Sequence, residues 1–381
     1  MDFSWSPEQQ ARIDDVVRFG SEQLADDVER RDAEGIFWHE GWRRCGRFGL
    51  LGLPSPAEYG GAGADRLTVM ATLEALGYAC RDNGLLFGIN AHLWGCVLPV
   101  REFGSDRQRA RWLPGLSDGS LIGALAMTEP GSGSDAYRLS TTAVAKEGGY
   151  LLNGVKTMVT NAPIADLIVV IARTDPAGGI GGLSAFLVDR HTAGLQVSEP
   201  VAKMGLRTVP MGELTLTDCW VPADSLLGHL GAGMAVFNLA MDWERACIMA
   251  SAVGVMRHLL ERSTAYAREH ERFGQPIGGF QAVAHRLVDM KLRLETSRLL
   301  LYQLGWQRDG GRQSPGEPAL VKLHLSESLV QSSLDALQIH GGNGYLAASG
   351  LERQVRDALA GRFYSGTSDV LRNIVARSLG L

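Results

Sequence analysis

The spacing of apolar positions changes twice along the chain. Ser6-Pro7-Glu8 has the chemistry of a helix start: a capping hydroxyl, a proline in the first turn and a carboxylate near the positive end of the dipole. Ile13, Val16, Val17 and Leu24 follow at roughly helical spacing. Further helices are expected from Trp38 to Phe48 and from Leu67 to Tyr78, and 83–117 reads helical with interruptions. After "LPGLSDGS" the period shortens. Residues 121–128 are apolar and short-sided, "ADLIVVIART", "GGLSAFLVD" and "GELTLTDCWVP" read as strands, and Asn153-Gly154 in "YLLNGVKTMVTNA" is a hairpin signal. Strands do not alternate regularly with helices, which argues against a doubly wound parallel sheet. From Gly233 the helical period returns in long segments, about 235–268, 279–308, 317–339, 350–363 and 367–378. These are apolar on more than one side, as suits a bundle or a subunit interface. The expected organisation is a helical N-terminal domain over 1–120, a compact β domain over 121–231 and a helical C-terminal domain over 232–381.

Composition narrows the function more than the fold. A net charge of -5 over 381 residues gives no support to nucleic-acid binding. Five cysteines, Cys45, Cys80, Cys96, Cys219 and Cys247, form no CxxC, so neither a disulfide scaffold nor a thiolate metal site is expected. The acidic, polar N-terminus is not a secretory signal, and no run of about 18 uncharged apolar residues predicts membrane insertion. The expectation is a soluble cytoplasmic protein.

Three segments carry candidate chemistry, each beside a plainer reading. "AMTEPGSGSDAYRLS" (126–140) would expose backbone N–H groups and hydroxyls to a planar polar edge or an anion, or is an ordinary turn. It lacks the lysine of a phosphate-cradling loop and the glycine spacing of a dinucleotide fingerprint. "REHERFGQPIGGFQ" (268–281) gathers Arg268, His270 and Arg272 at a helix end, as an anion clamp or a solvated terminus. "MDWERACIMASAVGVM" (241–256) places Glu244 before a nearly uncharged helical run. Desolvation there would raise its pKa and make it a usable base; an ion pair with Arg245 would make it structural.

Taken in order, "MTEPGSGSD", "LNGVKTMVTNA", "KMGLRTVP", "RFGQPIGGFQ", "LQIHGGNGY" and "YSGTSDVLRN" resemble the acyl-CoA dehydrogenase family over essentially the full length. The resemblance implies an all-α N-terminal domain, a central β-barrel-like domain and a C-terminal four-helix bundle. It also implies non-covalent FAD and a homotetramer built as a dimer of dimers, each flavin site completed by a neighbouring subunit. Carried over by position, Met127, Thr128, Gly133 and Ser134 would line the flavin or the start of the acyl thioester, and Met158 and Thr160 would face the isoalloxazine. His270, Arg272, Phe273 and Gln281 would reach toward a neighbouring subunit's FAD, as would Gln338, Gly341 and Gly342. Thr367 and Asp369 would complete the cofactor contacts, while Ser134, Arg245 and Ser365 would meet substrate.

The sequence departs from the family at three of these positions. His270 stands where arginine is common, which would weaken FAD retention, and Met158 stands where an aromatic is frequent. Ser365 occupies the place of the glutamate that removes the substrate α-proton in many straight-chain members. Isovaleryl- and long-chain-type members carry that glutamate instead in a D-x-E-R arrangement on an earlier helix. "MDWER" puts Glu244 there, so Glu244 is the expected base. The first functional expectation is α,β-dehydrogenation of an acyl-CoA, with an electron-transfer flavoprotein or similar acceptor reoxidising the flavin. The alternatives are oxidation of an acyl or aminoacyl group on an acyl-carrier protein in secondary metabolism, a flavin monooxygenase-type relative, or a non-catalytic binding member.

Overall fold

The computed structural model describes residues 4–25, 27–312 and 316–381. Among the described residues seven helices come first: α1 (Pro7–Gln23), α2 (Val28–Glu34), α3 (His39–Arg47), α4 (Arg66–Ala79), α5 (Asn83–His92), α6 (Leu98–Phe103) and α7 (Asp106–Asp118). The predicted start of α1 is a full capping box. Ser6 Oγ accepts from Gln9 N, and Gln9 Oε1 accepts from Ser6 N, both at 3.1 Å. The interruption expected within 83–117 is a π-helical turn, Leu93–Val97, between α5 and α6.

Eight strands make the central sheet: β1 (Gly123–Ala126), β2 (Thr142–Lys146), β3 (Gly149–Thr160), β4 (Leu167–Arg173), β5 (Leu183–Asp189), β6 (Leu195–Val197), β7 (Met211–Pro222) and β8 (Leu226–Leu227). Their order is β6-β7-β3-β2-β4-β5-β8, with β1 lying parallel to β4. Among the described residues only Thr142↔Arg173 joins β2 to β4, so the sheet folds as two halves around an apolar interior. The uninterrupted apolar run of β4 follows from burial on both faces. Ile168, Val170 and Ala172 point into that interior, while Leu167, Val169 and Ile171 join the helical core.

Among the described residues six helices follow: α8 (Gly233–Cys247), α9 (Ala250–Glu269), α10 (Gln281–Asp309), α11 (Gly316–His340), α12 (Gly342–Tyr345) and α13 (Leu351–Ala360); α14 (Ser368–Ser378) comes last. A two-stranded hairpin, β9 (Glu271–Arg272) and β10 (Gln275–Pro276), separates α9 from α10. Among the described residues no helix is long and apolar enough to cross a membrane.

Two local expectations need correction. Asn153-Gly154 is not a turn: the β2–β3 hairpin reverses at Glu147-Gly148, with Gly148 at φ 72 and Lys146 paired to Gly149. Gly154 lies instead at a bulge in β3 opposite β7. A Cβ there would come within 2.5 Å of Thr141 Oγ1, so its glycine answers a close approach rather than a reversal. The segment expected as one helix over 235–268 is two, broken at Ile248-Met249. Apolar positions run straight through the break, so periodicity could not show it.

Packing against α4 fixes the direction of α9. Gly77 and Gly254 face each other's helix so closely that a Cβ on Gly77 would sit 2.0 Å from Ser251 O, and one on Gly254 2.0 Å from Glu74 O. Gly254→Ala must push α4 and α9 apart. We expect it to destabilise the fold by about 1–3 kcal/mol or more, read as a lowered urea midpoint; an unchanged midpoint would show that the crossing is not tight.

Candidate active site

The end of α8 is anchored residue by residue. Asp242 accepts from Arg66 at 3.0 Å and Arg308 at 2.9 Å, bringing together α4, α8 and α10. Trp243 is buried, stacked 5.6 Å from Trp94 and covered by the Arg66 guanidinium at 4.2 Å. The next residue, Glu244, is thereby directed to the 361–366 turn that precedes α14. There its Oε1 accepts a hydrogen bond from Ser365 Oγ. Among the described residues Glu244 forms no ion pair; Arg245 instead donates from Nε to Ser365 O at 2.9 Å. Burial pushes the Glu244 carboxyl above its ordinary pKa, opposed by the Ser365 hydrogen bond and by the charges of Arg245 and Lys322.

Ser365 sits at φ 54, a left-handed conformation uncommon for a side-chain-bearing residue, followed by Gly366 at φ 98. Tyr364 packs its ring 4.7 Å from Phe87 of α5 and donates to Met249 Sδ at 3.2 Å, within the α8–α9 break. The break and the strained turn therefore face each other.

A second set of candidates lies on the 127–141 loop and β3. Thr157 N donates to Thr128 O at 2.9 Å, which sets Met127 and Thr128 beside Met158 and Thr160. Met158 is exposed at φ 53, where the β3–β7 register is irregular, and Thr160 is half-buried. Gly133 and Ser134 are exposed, and nothing lies within 4 Å of where a Cβ would stand on Gly131 or Gly133.

Glu129 and Lys156, which sequence reasoning did not single out, hold this arrangement together. Glu129 accepts from Ser140 N and Oγ (both 2.6 Å), Thr141 N (3.0 Å) and Lys156 Nζ (2.8 Å). Lys156 also donates to Met127 O at 3.1 Å. Burial opposes ionisation of Glu129, but the bonds from Lys156, Ser140 and Thr141 prevail and bring its pKa to about 2; burial lowers Lys156 to about 8. The local sequence held no signal for the pair: β3 also carries Asn153, Thr157 and Thr160, so Lys156 reads there as one more polar position.

The third set is separate within one chain. Tyr266 stacks between His270 (4.5 Å) and His340 (4.2 Å), and its hydroxyl accepts from Asn343 Nδ2 at 3.1 Å. This brings His270 beside the 338–345 segment. Arg272, Phe273, Gln281, Gln338, Gly341 and Gly342 are all exposed, Phe273 at 95%. Among the described residues no hydrogen bond, ion pair or ring contact joins this set to the loop and β3. Thr367 caps α14 by accepting from Val370 N at 3.2 Å, and exposed Asp369 pairs with Arg372 at 3.1 Å.

Comparison with known proteins gives the family. Residues 6–120, 124–219 and 231–380 match the N-terminal, middle and C-terminal domain models of acyl-CoA dehydrogenase. The chain belongs to the acyl-CoA dehydrogenase family. It is an FAD-dependent oxidoreductase of that family. It is 42% identical to the L-prolyl-[peptidyl-carrier protein] dehydrogenase of Pseudomonas fluorescens, over all of both chains. The solved structure of PigA with FAD and proline superposes with a TM-score of 0.98 at 40% identity, covering both chains fully. The prolyl acyl carrier protein oxidase AnaB gives a TM-score of 0.97 at 46% identity, covering 99% of this chain and all of AnaB.

The residues present fit this family's cofactor. Gly131, Gly133, Gly341 and Gly342 leave open space where side chains would stand, and exposed polar and apolar groups flank both glycine sets. The Glu129–Lys156 pair underlies the first set. Lys156→Met leaves the Glu129 carboxylate buried without its counter-ion, and we expect a loss of about 3–5 kcal/mol in urea unfolding. Because Glu129 has a depressed pKa, its contribution in the parent protein is present above the ordinary carboxylate range and fades as pH falls toward about 2. The variant's stability should therefore vary less with pH in that acidic window.

Proposed function

We propose that this protein oxidises an aminoacyl group of prolyl size, held as a thioester on a carrier protein, with Glu244 as the base that removes the α-proton. One observation carries the reading: Glu244 is half-buried, without an ion pair among the described residues and hydrogen-bonded by Ser365, in a chain that matches prolyl-carrier relatives along its full length. The sequence alone ranked acyl-CoA slightly ahead of a carrier-bound substrate; these relatives reverse that order.

Desolvation makes Glu244 more basic than a surface carboxylate, and the Ser365 hydroxyl orients it. A serine at 365, in place of a longer carboxylate, leaves room beside Cα for a ring nitrogen or a branch. Arg245 holds the Ser365 carbonyl and so fixes the floor on which substrate rests. FAD, when bound, supplies the acceptor for the β-hydride. Met127, Thr128, Gly133, Ser134, Met158 and Thr160 would hold its ring system and the thioester.

His270, Arg272, Phe273, Gln281, Gln338, Gly341 and Gly342 would complete the FAD site of a neighbouring subunit, with Thr367 and Asp369 adding contacts. The exposure of Arg272, Phe273, Gln281, Gln338, Gly341 and Gly342 in one chain supports that reading. So does an uncovered apolar row on α10: Val288, Leu292, Leu299 and Trp306, each more than half exposed. We read the assembly as a homotetramer, with electron-transfer flavoprotein or a similar acceptor as redox partner. Five buried free thiols support a reducing, cytoplasmic setting.

The decisive experiment is anaerobic titration of the FAD-loaded protein with prolyl-carrier protein, other acyl-carrier proteins and acyl-CoAs, following flavin absorbance. Bleaching is expected with the prolyl carrier. Preferential bleaching by acyl-CoA would overturn the substrate assignment. Glu244→Gln should slow bleaching by about 10²–10⁴-fold while FAD stays bound. In the parent enzyme the rate should fall as pH drops through a carboxyl pKa above the ordinary range, because only ionised Glu244 accepts the proton. Leu292→Glu should lower the mass of the assembly in light scattering.

A further inference from the structure

Beneath the Glu244–Ser365 contact lies a lysine that the reaction has not yet used. Lys322, on α11, is fully buried and forms no ion pair among the described residues. Its ammonium donates to Gly361 O at 2.6 Å and Gly366 O at 3.0 Å, and lies 5.0 Å from the centre of the Tyr364 ring. Three N–H donors thus meet two carbonyls and an aromatic face. The two carbonyls bracket the strained turn: Gly361 opens it, and Gly366 follows Ser365.

We propose that Lys322 is a positioning residue of the reaction: it clamps both ends of the 361–366 turn, holding the Ser365 hydroxyl on Glu244, and its positive charge keeps the Glu244 carboxyl ionised. The proposal rests on the reading of Glu244 as base. Hydrogen bonding alone would need only a neutral donor; the charge is what reaches Glu244. The other groups facing this spot are Arg245 from α8, Tyr364 from the turn and Glu327 from α11. Glu327 is already engaged by Arg362 at 2.5 Å and Ser368 Oγ at 2.8 Å. Burial lowers the Lys322 pKa to about 7, with Glu244 pulling it back up. Glu244 is in turn lowered by Lys322, and such coupling is reciprocal.

Two variants separate the clamp from the charge. Lys322→Gln keeps donors and removes the charge; Lys322→Met removes both. With Lys322→Gln, the acidic limb of the bleaching-rate profile should move up by about one pH unit or more. The rate then falls roughly tenfold on that limb and stays closer to the parent's on the alkaline side. Lys322→Met should add a loss equal at every pH. A purely structural lysine predicts an equal loss at every pH in both variants, and that result overturns the proposal.

The same coupling is readable without turnover. The chain has five lysines, so ¹⁵N-lysine labelling of the FAD-loaded protein can follow the Lys322 ammonium. Glu244→Gln should lower its pKa, and an unchanged value overturns the proposal even if Lys322→Gln does not fold. A Glu244→Gln enzyme that still bleaches flavin overturns the base reading and this proposal together. An inactive Glu244→Gln enzyme beside an unshifted Lys322→Gln limb overturns the proposal alone.

Discussion

A carboxyl group withdrawn from water without a salt bridge is the constraint around which this molecule is arranged. Ionised carboxylates are costly to bury, and a structural one is ordinarily paired. Among the described residues Glu244 has no ion-pair partner, so its surroundings must fix its position without neutralising it. The neighbouring residues divide that task. Asp242 and Trp243 anchor the helix through two arginines and a tryptophan stack, and Ser365 supplies one hydrogen bond. Arg245 turns its Nε to a backbone carbonyl and forms no ion pair with its neighbour. The result is a carboxyl held in one place with its basicity raised.

Fixing such a group draws on both helical parts of the fold. Phe87 comes from the N-terminal helices, Tyr364 and Ser365 from the last turn, and Lys322 from α11. One apolar core runs through the N-terminal helices, one face of β4 and β5, and the C-terminal helices, so these parts cannot shift independently. The "KMGLRTVP" segment reinforces this. Thr208 Oγ1 donates to Asp82 at 2.5 Å, and Leu206 N donates to Asp357 at 2.6 Å, tying the middle segment to helices on either side. Its resemblance to the family therefore has a structural basis as well as any part in ligand binding.

The candidate site was legible where chemistry depends on residue type. A missing carboxylate at Ser365 and a spare one in "MDWER" pointed to Glu244, and the structure brings these two side chains into contact. Glu129 and Lys156 were illegible for the opposite reason. Each looks like an ordinary charged residue, 27 positions from the other, and only the return of β3 beside the 127–141 loop makes them a buried pair. Lys322 escaped notice likewise: a single lysine in a helical pattern reads as a solvated position until its acceptors, about 40 residues away, are known.

The sequence by itself determined the order helix, sheet, helix, because apolar periodicity is a local property that survives any packing. It also named side chains capable of the proposed chemistry, because that depends on residue type. What only the tertiary structure decided is direction and environment. The break after Glu244, the bulge at Gly154 and the reversal at Gly148 depend on which backbone approaches which, through contacts such as Gly77 with Gly254's helix. Whether Glu244 would be an idle ion-pair partner or an unpaired carboxyl depended on where Arg245 turned. That was settled by a carbonyl 120 residues along the chain.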